Sequence, residues 1–92
     1  MDLDEAYESE LLGEKFREKG EHEKAFKLFK EAAEYGLDSS QVYLGICYYN
    51  SEGVEEDLNK AYYWFKKAEE KGNEVAKEMI QEMERQGTIP NS

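Results

Sequence analysis

Residues 8–36 return as residues 40–72, and a third, partial copy begins at Ala76. Leu12-Gly13 matches Leu44-Gly45, Phe16 matches Tyr48, and Lys24-Ala25-Phe26 matches Lys60-Ala61-Tyr62. Phe29 matches Phe65 and Gly36 matches Gly72. The offset is 32 residues in the first half of the unit and 36 in the second, so the second copy carries four extra residues in its internal loop. Ser40 and Leu44 recur once more as Ala76 and Ile80. Self-similarity at this period means stacked helical hairpins, because one hairpin cannot bury its apolar face alone and neighbouring copies must cover it. Such stacks serve as binding surfaces far more often than as catalysts.

The helix boundaries follow from caps and spacing. One helix is predicted from about Asp4, its N-cap, to Lys19, and a second from Glu21 to Tyr35, ended by Gly36 in the left-handed region. Ala25, Phe29, Ala32 and Ala33 share one face of the second helix. A third helix starts at Asp38 or Ser39 and reaches Asn50. Asp57 caps a fourth, which buries Leu58, Ala61, Ala68 and either Trp64 or Phe65 before stopping at Gly72. A fifth runs from near Asn73 to Gly87 with Val75, Ala76, Met79, Ile80 and Met83 on one stripe. The reading is a single domain over residues 1–87: repeat one over about 4–36, repeat two over about 38–72, a capping helix over about 73–87, and a frayed tail at 88–92.

Charged residues make up 37% of the chain, which alone would suggest disorder, but seven Tyr, four Phe and one Trp fall in register with the repeat. The single proline is Pro90, so no internal helix breaker of that kind exists. Cys47 is the only cysteine, which excludes an intramolecular disulfide. No apolar run approaches membrane-spanning length, and the start Met1-Asp2-Leu3-Asp4-Glu5 is the reverse of a basic signal sequence. A soluble cytoplasmic protein is the expectation. The net charge of −10 argues against nucleic acid, which needs a basic footprint to release counterions. Residues 1–23 carry nine acids against three bases, and residues 37–57 five acids and no base.

Gly13 and Gly45 lie inside predicted helices, where each costs about 1 kcal/mol relative to alanine. Kept at one register in two copies, they imply that another helix backbone passes close by, with Ala25 and Ala61 supplying the facing small surface.

The second copy resembles a Sel-one-like repeat, a relative of the tetratricopeptide repeat. The matching string is Leu44-Gly45, Tyr48, Gly53-Val54, Asp57, Lys60-Ala61, Trp64-Phe65, Lys67-Ala68 and Gly72. The first copy is shorter and lacks the Gly-Val loop and the Asp, with Leu28 where Trp64 falls. The resemblance implies an all-α fold, a short right-handed solenoid (α-α superhelix) of two antiparallel hairpins plus a C-terminal capping helix. It also implies a role as an adaptor that holds proteins together. Secreted relatives pin each hairpin with a disulfide, which this chain cannot do.

Placing the three first-of-pair helices in columns maps a candidate partner site. Leu11, Tyr43 and Met79 form one apolar column and Leu12, Leu44 and Ile80 another, and both read as core. Three further columns differ: Glu10, Val42, Glu78; Glu14, Ile46, Glu82; Arg17, Tyr49, Arg85. The outer copies place charge where the middle copy places Val42, Ile46 and Tyr49, which are spaced i, i+4, i+7 and share one face. Two readings fit. Either the middle helix offers an apolar strip with a charged rim to a peptide or protein segment with basic flanks, or it is apolar all round because it is the core. Trp64 matches a core position, which leaves Tyr63 as the exposed ring.

Chemistry is poorly provisioned. His22 sits in a polar turn and reads as a solvated surface residue. Cys47 reads as a buried thiol with no histidine placed to activate it. Glu52, Glu55, Glu56 and Asp57 crowd one loop, but their spacing fails the Ca²⁺-loop pattern. No enzyme activity, metal or cofactor is therefore expected. The leading function is a non-catalytic protein-interaction module, an adaptor or scaffold that binds a peptide or protein segment through its concave helical face, monomeric or weakly self-associating, with no membrane partner. The alternative is a small acidic decoy or inhibitor that covers a basic surface on its target.

Overall fold

The computed structural model describes residues 1–89, and within them five α-helices account for all regular structure. They are α1 (Leu3–Glu18), α2 (His22–Tyr35), α3 (Asp38–Asn50), α4 (Leu58–Glu70) and α5 (Glu74–Gln86). Each packs chiefly against the helix before it and the helix after it. The even-numbered helices therefore fill the gaps between the odd-numbered ones, and the body measures 35 × 26 × 19 Å.

Local chemistry explains most ends. Asp2 rather than Asp4 caps α1: its carboxylate accepts from the Glu5 amide while Glu5 accepts from the Asp2 amide, a reciprocal box that satisfies two otherwise orphaned donors. Asp57 accepts from the Lys60 amide and starts α4, and Asn73 accepts from the Ala76 amide and starts α5. Leu37, not Asp38 or Ser39, holds the N-cap position of α3 and makes no side-chain cap bond. Gly36 closes the first hairpin at φ 123° and Gly72 the second at φ 89°, a region that side chains resist. Ser51 takes a left-handed conformation at the end of α3 without being glycine, and its hydroxyl donates to the Val54 carbonyl. Thr88 donates from both its amide and its hydroxyl to the Met83 carbonyl, and Ile89 packs on the core. These contacts tie Thr88 and Ile89, the start of the tail expected to fray, to the body, and Pro90–Ser92 lie outside the described residues.

The two hairpins share one packing device. Phe29 and Phe65 are fully buried, and each ring presses against the glycine of its partner helix. A Cβ at Gly13 would sit 2.8 Å from Phe29 Cε1, and one at Gly45 2.5 Å from Phe65 Cε1. What crowds these glycines is an aromatic ring, not the helix backbone that the sequence suggested. Ala25 and Ala61 are buried in the same clusters as these rings, at 1% and 0% exposure. A second contact repeats as well. Lys24 Nζ lies 5.4 Å from the Phe16 ring centre, and Lys60 Nζ lies 5.5 Å from that of Tyr48. Burying each Phe contributes about 1.5–3 kcal/mol, enough to offset the helix propensity lost at its glycine.

Gly45→Ala should therefore lower stability by about 1–2 kcal/mol despite the better helix former, because the added carbon overpacks the site. Thermal melts should show a lower midpoint, with Gly13→Ala milder. Adding Phe65→Leu should make the Gly45→Ala step neutral or favourable.

Candidate interaction face

The odd-numbered helices lie side by side, joined by polar side chains rather than by close backbone packing. Ser39 and Ser40 both donate to the Glu10 carboxylate, at 2.5 and 2.6 Å, and the Tyr43 hydroxyl donates to Glu14. Arg17 Nε donates to Glu52 at 2.9 Å, so α1 is also clasped to the loop after α3. On the other side, Asn73 donates to Asp38 at 2.8 Å and the Tyr49 hydroxyl donates to Gln86. The contacts from α1 run on a slant: Glu10 meets Ser39 and Ser40, not Val42 one full repeat on.

Those bonds decide which sequence-selected residues stand free. Glu10 and Glu14 are half-buried and engaged by α3. Arg17 is engaged by Glu52, and Arg85 pairs with Glu82 within α5. Glu78 is exposed. Val42 is only 6% exposed and belongs to the main core cluster, so it does not stand on an open strip. Ile46 and Tyr49 are partly buried against the same cluster. Ser39, Val42, Tyr43, Ile46, Asn73 and Val75 line a cleft of about 210 Å³ between α3 and α5. On the middle helix Tyr43, Ile46 and Tyr49 keep accessible surface, and Val75 at 51% exposure extends the part at Tyr43 and Ile46 onto α5.

Two apolar columns expected in the core divide between core and surface. Leu44 and Ile80 are buried at 0% and 5%, whereas Leu12 is 45% exposed. Leu11 is 55% exposed, while Tyr43 and Met79 are partly buried. Trp64 is partly buried against the core rather than enclosed, and Tyr63 is 53% exposed with Lys67 5.4 Å from its ring centre.

The acidic loop resolves into separate duties. Asp57 is a cap, Glu55 and Glu56 face solvent, and Glu52 turns inward. The Arg17 guanidinium, hydrogen-bonded to it, holds the Glu52 carboxyl below its ordinary value of 4.5, while burial opposes that shift. His22 is not freely solvated: its Nδ1 is buried without a hydrogen bond and lies 3.7 Å from Glu52. A Cβ on Gly53 would strike the His22 carbonyl, so the loop docks closely on the α1–α2 turn. Glu52 was missed from sequence as a structural residue. Its one signal was position, in the inserted segment that only the second copy carries. Stacking of Tyr43 on Phe29, centroids 4.5 Å apart and 10° from parallel, completes the wall beneath α1. Burial, with the Glu14 hydrogen bond next, pushes the Tyr43 phenol up to about 12. Cys47 is 2% exposed, and burial likewise pushes its thiol up to about 12, the reverse of an activated nucleophile.

A row of helices carried on their own hairpin partners defines a stacked helical-repeat protein. The Sel1 repeat profile matches residues 11–37 and 38–73, and the chain belongs to the Sel1 repeat family, whose repeats mediate protein–protein contacts and are non-enzymatic in kind. A crystal structure of a Sel1 repeat protein from Oxalobacter formigenes superposes with a TM-score of 0.84 at 27% identity, over 100% of this chain and 41% of that one. The rat (Rattus norvegicus) protein DAP3-binding cell death enhancer 1 is 38% identical over 60 residues, which is 65% of this chain and 12% of the rat protein. The chain therefore spans less than half the length of either. Among the described residues, no helix is long and apolar enough to cross a membrane.

Two outcomes follow. Glu52 has a depressed folded pKa, so its pairing stabilises the fold above the unfolded value and the benefit is lost as pH falls through the folded one. Glu52→Gln should be less stable than the parent at neutral pH, and denaturant midpoints should converge below about pH 4.5. Cys47 should resist a thiol reagent at pH 8 until the chain is unfolded, so labelling should track unfolding and not thiol chemistry.

Proposed function

We propose that this chain is a non-catalytic interaction module that binds a peptide or protein segment on the outer side of α1, α3 and α5, seating apolar anchors in the cleft at Ile46. The observation that carries this reading is the cleft itself: Tyr43, Ile46 and Val75 leave apolar surface open between α3 and α5. With Glu14 on α1 and Glu78 and Glu82 on α5, the helices to either side of α3, and a net charge of −10, a segment with apolar anchors and basic flanks suits it. Among its relatives, the rat protein is by its name DAP3-binding, which agrees with a role in holding protein partners. Partner recognition by a small row of helices also suits a chain whose one thiol is buried and whose one histidine lies beside Glu52.

Ile46→Glu places a charge in the cleft at a residue that is not fully buried. It should cut capture of a partner segment by at least about tenfold, or ~1.4 kcal/mol, measured by calorimetry, while moving the thermal midpoint only a few degrees. A variant that unfolds would make Ile46 core and remove the site. Binding that collapses with added salt while tolerating Ile46→Glu would favour the acidic decoy.

A further inference from the structure

Two polar side chains are buried among the described residues, Ser40 and Gln41, and they fare differently. Ser40 donates to Glu10, but Gln41, 2% exposed, is only half satisfied. Its Nε2 donates to the Ala33 carbonyl at 3.2 Å, which fixes the direction of the amide, since a carbonyl takes only a donor. The Oε1 atom is left buried without a hydrogen-bond partner. One repeat to either side, the same position holds Ser9 and Lys77, neither of them buried, so the enclosed amide belongs to the middle helix alone. A buried acceptor without a donor is costly, and most such groups in folded proteins are matched.

Gln41 lines a hollow of about 400 Å³ whose walls come from α2, α3, α4 and the turns that end α2 and α4, not from either end of the chain. It shares no residue with the cleft at Ile46. Trp64, Tyr63, two glutamates (Glu34 and Glu70) and two lysines (Lys67 and Lys71) complete the lining. Both lysines are engaged: Lys71 donates to the Gly36 carbonyl, and Lys67 lies 5.4 Å from the Tyr63 ring centre. Among the described residues, neither Glu34 nor Glu70 enters an ion pair and no cation lies over Trp64. What stays open is an aromatic ring and the acceptors of Gln41, Glu34 and Glu70. Lysines and glutamates cancel in formal charge, so the unmatched acceptor sets the preference: an anion would face it badly, and a donor is required. A lysine brings its charge at one point, whereas a guanidinium brings five donors in one plane and stacks on aromatic rings. We infer that this hollow receives an arginine side chain of a partner protein, its edge donating to Gln41 Oε1 and to Glu34 or Glu70 and its plane against Trp64.

Trp64 is the only tryptophan, so its emission reports on the hollow directly. The whole chain is titrated at constant ionic strength with acetyl-Gly-Arg-Gly-amide, and with the same peptide carrying lysine, citrulline or glutamate in place of arginine. The arginine peptide should give a saturable change in emission, and the other three should bind at least about tenfold more weakly. Glu70→Lys, at an exposed position, should weaken the arginine peptide by about tenfold or more without moving the thermal midpoint. Glu55→Lys makes the same charge change on the exposed loop outside the hollow and should leave binding intact, as should Ile46→Glu in the cleft. Gln41→Met, checked for a cooperative melt, should also lose the arginine peptide, and Glu70→Lys carries the test if that buried change does not fold. No saturable change would overturn the inference and leave Gln41 Oε1 to a water. Equal binding of the lysine, citrulline or glutamate peptide, or equal weakening by Glu55→Lys, would overturn it as well.

Discussion

A phenylalanine ring pressed against a glycine sets the spacing within both hairpins, and the rest of the molecule is arranged around that contact. With no side chain at Gly13 or Gly45, α2 and α4 approach closely enough to enclose Phe29 and Phe65 completely. Enclosure of the rings fixes how α1 and α3 are rotated about their own axes. That rotation places Tyr43 over Phe29 and leaves Ile46 facing outward beside Val75. A lysine above the neighbouring aromatic, once per hairpin, repeats the arrangement at the chain ends of the even helices. The interaction face is thus a by-product of core geometry. A small shift at either glycine would change which residues the odd helices present.

The polar layer between odd helices has a different role. Glu10, Glu14 and Glu52 each take a partner from the neighbouring unit, so charges that look free along the sequence are used to hold α1, α3 and their loop in register. Hydrogen bonds to charged groups are stronger than neutral ones, and these are partly shielded from water, which makes them effective as clasps. They also reduce the charge available to a partner. Glu78, Glu55 and Glu56 still face solvent.

The helical repeat was legible in the sequence because its signals are local or periodic. Asp57, Gly36 and Gly72 sit where caps and turns demand them, and Phe29 with Phe65 marks the same step in both copies. The candidate site was less legible, since column alignment shows which residues are equivalent but not which are covered. Val42 and Ile46 share a helix face and line the same cleft, yet Val42 is buried in the core and Ile46 only partly so. Leu11 aligns with partly buried residues and Leu12 with buried ones, yet both are exposed. Glu52 had no equivalent in the first copy, so repetition could not reveal its pairing with Arg17. The crowding at Gly45 was foreseen as to place, but a ring, rather than a backbone, was its cause.

Proton-to-proton cross-relaxation in solution tests this geometry most directly. Strong nuclear Overhauser effects from the Gly13 α-protons to the Phe29 ring, and from the Gly45 α-protons to the Phe65 ring, are predicted, with all four α-protons displaced by ring current. Finding one hairpin with this pattern and the other without it, or neither glycine near a ring, would contradict the shared packing on which the outward face depends.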